Sequence, residues 1–209
     1  MSAPSADPTI DASADLTGSG ARRMTWLYLV AGGLGFVAAC TLLIEKIALL
    51  KDPSYVPTCS INPILSCGSV MTTRQAEAFG IPNPIIGVVG FAAIVTTGAA
   101  LAAGARLARW YWWGLWAGTA FGVGFVHWLI FQSLYRIGAL CPYCMVVWVV
   151  TIPIFWYTTL HLARLNGWVR TRPVALASDY HTVVVTAWYL TIATLIGERF
   201  WDYWSTLLP

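Results

Sequence analysis

The sequence predicts an all-α integral membrane protein with five transmembrane helices, and three observations carry that expectation. The chain of 209 residues is 58% hydrophobic and only 10% charged, which leaves too little polar surface to face water on all sides. Five stretches are each long enough for a bilayer core, which takes about 20 mostly apolar residues. Most cationic residues fall outside or at the ends of those stretches, denser in every second gap.

Residues 1–21, rich in Ser, Ala, Asp and Pro, read as a disordered cytoplasmic tail. Residues 22–209 read as a single membrane domain with spans at about 24–50, 82–105, 110–135, 140–162 and 181–204. In the first span Val37-Ala38-Ala39-Cys40 has the look of a lipoprotein cleavage box, yet the apolar run continues through Leu42, Leu43 and Ile44. That is longer than the apolar core of a signal peptide. Cys40 itself is expected to pack as a small apolar residue. Gly32, Gly33 and Gly35, and Gly114, Gly118, Gly122 and Gly124 in the third span, are expected to permit close helix packing. Trp110, Trp112, Trp113, Trp201 and Trp204 lie at span ends, where interfacial anchors sit. His127 lies in mid-span, where an ionisable group is a functional candidate. No second acid or base at its depth builds a relay, so a neutral His bonded to a neighbouring helix is the expectation.

Short cytoplasmic loops collect Lys and Arg. Arg22, Arg23, Arg106, Arg109, Arg164, Arg170 and Arg172 share one side by parity, whereas Lys46, Lys51, Arg74, Arg136 and Arg199 on the other are mixed with Glu45, Asp52, Glu77, Glu198 and Asp202. This predicts a cytoplasmic N-terminus and places the loop 51–81 and the turn near Gly138 on the extracytoplasmic side. Cys59, Cys67, Cys141 and Cys144 then share the oxidising compartment, where disulfides persist.

Cys141-Pro142-Tyr143-Cys144 opens the fourth span. Pro142 suits the first helical position, and two cysteines so spaced are within disulfide reach. The free N–H groups and positive dipole end of the helix favour a thiolate at Cys141, with Cys144 facing inward one turn deeper. The two pairs suggest a relay in which a mobile outer pair meets a soluble protein and an inner pair meets a molecule dissolved in lipid. Two static disulfides are one alternative, although a Cys141–Cys144 bridge closes too small a ring to constrain much of the unfolded chain. A four-thiolate zinc site is another; the Cys-x2-Cys half suits zinc, but the x7 spacing of Cys59 and Cys67 and the lack of a nearby His do not, and no metal is expected. A short amphipathic piece over 72–79 is expected to cap the pocket from outside, with Met71 and Phe79 pointing down and Arg74, Gln75 and Glu77 toward water. No phosphate loop, serine triad or nucleic-acid module is present. The net charge of +3 follows from the inner loops, and no nucleic-acid partner is expected.

Taken as a set, the outer-loop cysteine pair, the run Cys67-Gly68-Ser69-Val70-Met71-Thr72-Thr73-Arg74, the Gly80-Ile81-Pro82-Asn83-Pro84 entry and Cys141-Pro142-Tyr143-Cys144 resemble the vitamin K epoxide reductase family. Within it the chain resembles the bacterial, and particularly actinobacterial, quinone-linked disulfide-forming enzymes. The resemblance implies a four-helix bundle around a quinone with a fifth helix at its side, in the inner or plasma membrane. It implies a thiol-disulfide oxidoreductase that reoxidises an extracytoplasmic thioredoxin-fold protein and passes electrons to a quinone of menaquinone or ubiquinone type. Many bacterial relatives continue into a thioredoxin-like domain after the fifth helix, whereas this chain stops at Pro209, so the partner is expected to be a separate protein. Position by position, Cys59 matches the cysteine that meets the protein substrate, Cys67 the one that attacks Cys141, and Cys144 the one that delivers electrons to the quinone. Asn83 matches a residue that hydrogen-bonds a quinone oxygen; it also reads as a helix N-cap. Met71 is placed over the pocket, and Trp148 stands where animal enzymes carry a ring-contacting tyrosine, one turn beyond Cys144. Two alternatives remain: a quinone-epoxide reductase on the same scaffold, and a non-enzymatic membrane protein stapled by disulfides.

Overall fold

The computed structural model describes residues 8–206. In chain order the helices are α1 (Pro8–Lys51), α2 (Cys67–Met71), α3 (Asn83–Ala102), α4 (Arg109–Gln132), α5 (Pro142–Leu165), α6 (Arg172–Asp179), α7 (His181–Arg199) and α8 (Trp201–Ser205), with single 3-10 turns at Arg74–Glu77 and Trp168–Arg170. No strand occurs among the described residues apart from one isolated parallel bridge, Leu65 with Leu140.

Among the described residues four helices are long and apolar enough to cross a membrane: Arg22–Lys51, Asn83–Ala102, Arg109–Ile137 and Pro142–Leu165. The chain is a multi-pass membrane protein. The fifth crossing expected over 181–204 is less simple, because α7 ends at Arg199 and is a candidate crossing only together with α6, from which it is bent by 74°. The tail expected over 1–21 differs too. Residues 1–7 lie outside the described residues, and from Pro8 the backbone is already helical. Pro at a helix start loses no hydrogen bond, and extending an existing helix costs far less than nucleating one.

The first crossing lies against α3 and α5, and α4 lies against α5, while α3 and α4 barely touch. Close approach on the α1/α3 seam rests on glycine: a Cβ at Gly35 would fall into the Phe91 ring, one at Gly32 would come 2.9 Å from Ile94, and one at Gly98 would come 3.1 Å from the Leu29 backbone nitrogen. Across the bundle, fully buried Tyr28 shares a 2.6 Å hydrogen bond with Thr158 of α5.

Helix α5 contains Pro153. Lacking an N–H, Pro153 leaves the carbonyl four residues earlier without its helical donor. That carbonyl belongs to Val149, and the Tyr189 hydroxyl of α7 donates to it at 2.6 Å. The same face of α7 donates from Trp188 Nε1 to His127 Nε2 at 2.8 Å, while His127 Nδ1 sits 2.7 Å from the Val123 carbonyl. One ring nitrogen donates and the other accepts, so His127 is a neutral structural residue, as its isolation in the sequence suggests. At its C-terminal end α4 finishes in a wider π turn, Ser133–Ile137, closed by Gly138 at φ +73°. The Leu134 carbonyl then takes Arg199 Nε at 2.7 Å.

Candidate active site

The site is assembled where the outer loop meets the start of α5. Two backbone hydrogen bonds, Ser66 N to Leu140 O at 2.9 Å and Leu140 N to Ile64 O at 2.7 Å, flank the Leu65–Leu140 bridge. Each bridged stretch runs directly into a cysteine: Ser66 into Cys67, which opens α2, and Leu140 into Cys141, the N-cap of α5. Ser66 caps α2 through its hydroxyl, which accepts from Ser69 N. The result is that Cys67 Sγ and Cys141 Sγ stand 3.0 Å apart although 74 residues separate them.

Cys67 is joined to Cys59 in a disulfide, and Cys141 and Cys144 are free thiols. Three of the four expected cysteines, Cys59, Cys67 and Cys141, have their sulfurs within 4.8 Å of one another. Cys144 is hydrogen-bonded to Cys141, and this bond holds the Cys141 thiol below the ordinary cysteine range against the opposing effect of burial. The backbone N–H groups of Tyr143 and Cys144 add to that lowering, as a helix start favours a thiolate.

The outer pair is not exposed. Cys59 is 5% exposed and Cys67 fully buried, packed with Leu42, Met71 and Cys141. Sequence reasoning, which pictured a mobile pair, missed what holds it: Glu45 and Lys46, which read as rim charges and are both buried at the end of α1. The Thr58 hydroxyl donates to the Glu45 carboxylate at 2.6 Å and its N–H at 3.4 Å. The Tyr55 hydroxyl also bonds Glu45, which pushes its phenol above the usual range. Lys46 Nζ donates to the Met71 carbonyl at 2.8 Å and pairs with Glu77 at 3.0 Å. Two adjacent opposite charges on the last turns of a span were the available signal, since such residues are almost never fully buried unless partnered.

Below the cysteines lies a cavity of about 480 Å³, lined almost wholly by apolar groups. Cys144, Trp148, Met71 and Asn83 all border it. Trp148 is buried one turn beyond Cys144, and its Nε1 has no hydrogen-bond partner among the described residues. Asn83 does not cap α3, whose N-cap is Pro82. Its side chain reaches back instead: Oδ1 accepts from Ala78 N at 3.0 Å and Nδ2 donates to Gln75 O at 2.7 Å, tying the 3-10 turn over the cavity mouth. That turn is the expected cap with two changes. Gln75 faces the cavity rather than water, and Phe79 is 59% exposed and leans on Phe121 and Phe125 of α4 rather than pointing down. Both follow from Asn83, which takes the main chain on either side of Ala76 and fixes the turn's roll. The glycines of α4 also differ from expectation. A Cβ at Gly114, Gly118 or Gly124 would meet nothing within 4 Å, and Gly114 and Gly118 line the cavity where α3 and α4 part.

These features define a helical membrane protein with a thiol and disulfide cluster set above an apolar cavity. A family model for the vitamin K epoxide reductase family matches residues 26–159, most of the bundle and all four clustered cysteines, and the chain belongs to that family. No curated protein matches the chain.

Proposed function

We propose that this protein is a thiol-disulfide oxidoreductase of the plasma membrane that reoxidises a separate, extracytoplasmic thioredoxin-fold protein and passes the electrons to a membrane quinone of menaquinone or ubiquinone type. The observation that carries this reading is Cys67, disulfide-bonded to Cys59 and 3.0 Å from Cys141, whose neighbour Cys144 borders the cavity. Membership of the family supports oxidoreductase chemistry, and its enzymes use quinones. The arginine asymmetry supports a cytoplasmic N-terminus and cysteines outside.

The thiol steps follow from the sulfur positions. A dithiol partner reduces Cys59–Cys67 by exchange: its first thiolate attacks Cys59, and its second resolves the mixed disulfide, leaving two loop thiols. Cys67 thiolate attacks Cys141 of a Cys141–Cys144 disulfide and displaces Cys144. Cys59 then attacks Cys67, which re-forms the loop disulfide and releases Cys141. The arrangement observed, with a loop disulfide and two free thiols on α5, corresponds to the product of that last step. The pair of electrons then rests on Cys141 and Cys144, at the cavity wall.

The cavity residues fit a quinone. The walls are apolar, Trp148 Nε1 is a buried donor without a partner, and Asn83 Nδ2 uses one of its two hydrogens on Gln75. Those two groups would bind ring oxygens, and Met71 would close the space from above. A bound quinone supplies a two-electron, two-proton acceptor. Closure of the Cys141–Cys144 disulfide releases the two electrons and both thiol protons.

The test is anaerobic reduction of menaquinone or ubiquinone by the purified protein with a reduced periplasmic-type thioredoxin-fold protein. Wild type and Cys40→Ala should turn over, and Cys144→Ser should not. Full turnover in Cys144→Ser would sink the reading, and turnover of a quinone epoxide in place of the quinone would favour the reductase alternative.

A further inference from the structure

On the reading above, the two arms of the outer loop have opposite duties. The Cys59 arm has to open to a partner, and the Cys67 arm has to stay on Cys141. Glu45 and Lys46, consecutive residues of α1, face one arm each. Glu45 takes the Tyr55 hydroxyl and both the hydroxyl and N–H of Thr58, the residue before Cys59. Lys46 takes the carbonyl of Met71, the last residue of the short helix that Cys67 begins, and pairs with Glu77 of the turn that follows.

We propose that Lys46 and Glu45 are the positioning residues of the outer loop: Lys46 clamps the Cys67 arm onto Cys141, and Glu45 is a latch that sets access to Cys59. The two tethers differ in what backs them. The Cys67 arm is also fixed by main-chain bonds from Ser66 and Ile64 to Leu140. The Cys59 arm is solvent-exposed at residues 51–54, and Val56 is 72% exposed. Among the described residues its side-chain bonds to the membrane helices run through Glu45. Releasing Tyr55 and Thr58 therefore frees the stretch before Cys59 from the membrane helices while Cys67 remains in place, with Ser60, whose hydroxyl accepts from Gly68 N at 3.3 Å, as the hinge. A buried carboxylate without its donors is costly, so the latch recloses after the partner leaves, and the two thiol steps are kept apart in space.

The clamp is tested through the effective concentration of Cys67 and Cys141, measured in a chain carrying Cys40→Ala, Cys59→Ser and Cys144→Ser. There glutathione disulfide converts the two remaining thiols to one disulfide and two glutathione thiols, and the equilibrium gives the effective concentration. Lys46→Met should lower it by about tenfold or more, and Lys46→Arg should restore most of the loss. Lys46→Gln, a donor too short to reach Met71, is the second variant should Lys46→Met not fold. The latch is tested by maleimide alkylation of Cys59 in Cys67→Ser, where Thr58→Val and Glu45→Ala should each raise the rate by about tenfold. Values within about twofold of the parent in Lys46→Met and Lys46→Gln overturn the clamp, and unchanged alkylation in both latch variants overturns the latch. Neither measurement uses a quinone or a protein partner. Failure of wild type to reduce any quinone would remove the proposed function and leave these results to stand or fall alone.

Discussion

The glycines of α1 and those of α4 look alike in sequence and do opposite things. On the α1/α3 seam, Gly32 and Gly35 are buried because neighbouring side chains occupy the space a Cβ would need. On α4, Gly114 and Gly118 face space, and the space is the cavity beside Cys144. Absence of a side chain closes the bundle in one place and hollows it in the other. The difference lies in the partner helix: α3 presents Phe91 and Ile94 to α1, and its own Gly87 meets Ala39 there, whereas Gly90, with nothing near its Cβ position, borders the cavity between α3 and α4.

Substitutions can separate these two uses. The largest effect is expected from Gly35→Leu, which drives four carbons into the Phe91 ring and should destabilise the folded protein by about 3 kcal/mol, measured by thermal unfolding in detergent. Gly118→Leu is the counterpart on the open face. It should leave the unfolding temperature close to wild type while raising the quinone KM by about tenfold, equivalent to about 1.4 kcal/mol of lost binding. A folding defect as large as that of Gly35→Leu would mean that α4 closes on α3 after all. The smallest effect belongs to Gly33→Ala, one residue from the seam with nothing within 4 Å of its Cβ position; it should stabilise by about 0.5 kcal/mol through helix propensity alone.

Much of the fold is legible in the sequence because burial in lipid imposes a coarse rule. Four apolar runs become helices, and Cys141 appears at a helix mouth as Pro142 and the Cys-x-x-Cys spacing suggest. The isolation of His127 reads correctly as a structural role, since one ring can satisfy both its nitrogens with Val123 and Trp188. What was not legible depends on a loop folding back. Glu45 and Lys46 carry charge at the end of a span, which in sequence is indistinguishable from a solvated rim, and only the return of Thr58 and Met71 makes them interior. Asn83 likewise reads as a cap for the helix it starts, while its bonds run backward to Gln75 and Ala78. The docking of α7 was hidden for a related reason: Pro153 announces a missing donor, but not that Tyr189 supplies its replacement.

The bridge between Leu65 and Leu140 also bears on biogenesis. While a ribosome is still making α3 and α4, Cys59 is the only outer-loop sulfur that Cys67 can find, because its second neighbour lies 74 residues downstream. The nascent chain can therefore store its two loop thiols as a local disulfide before the long-range partner exists. On the proposed function, electron transfer becomes possible only when the turn after Gly138 emerges and its backbone zips onto the waiting loop. On that same proposal, a chain interrupted before that point would carry a closed loop disulfide and no path onward from it, idle rather than leaking.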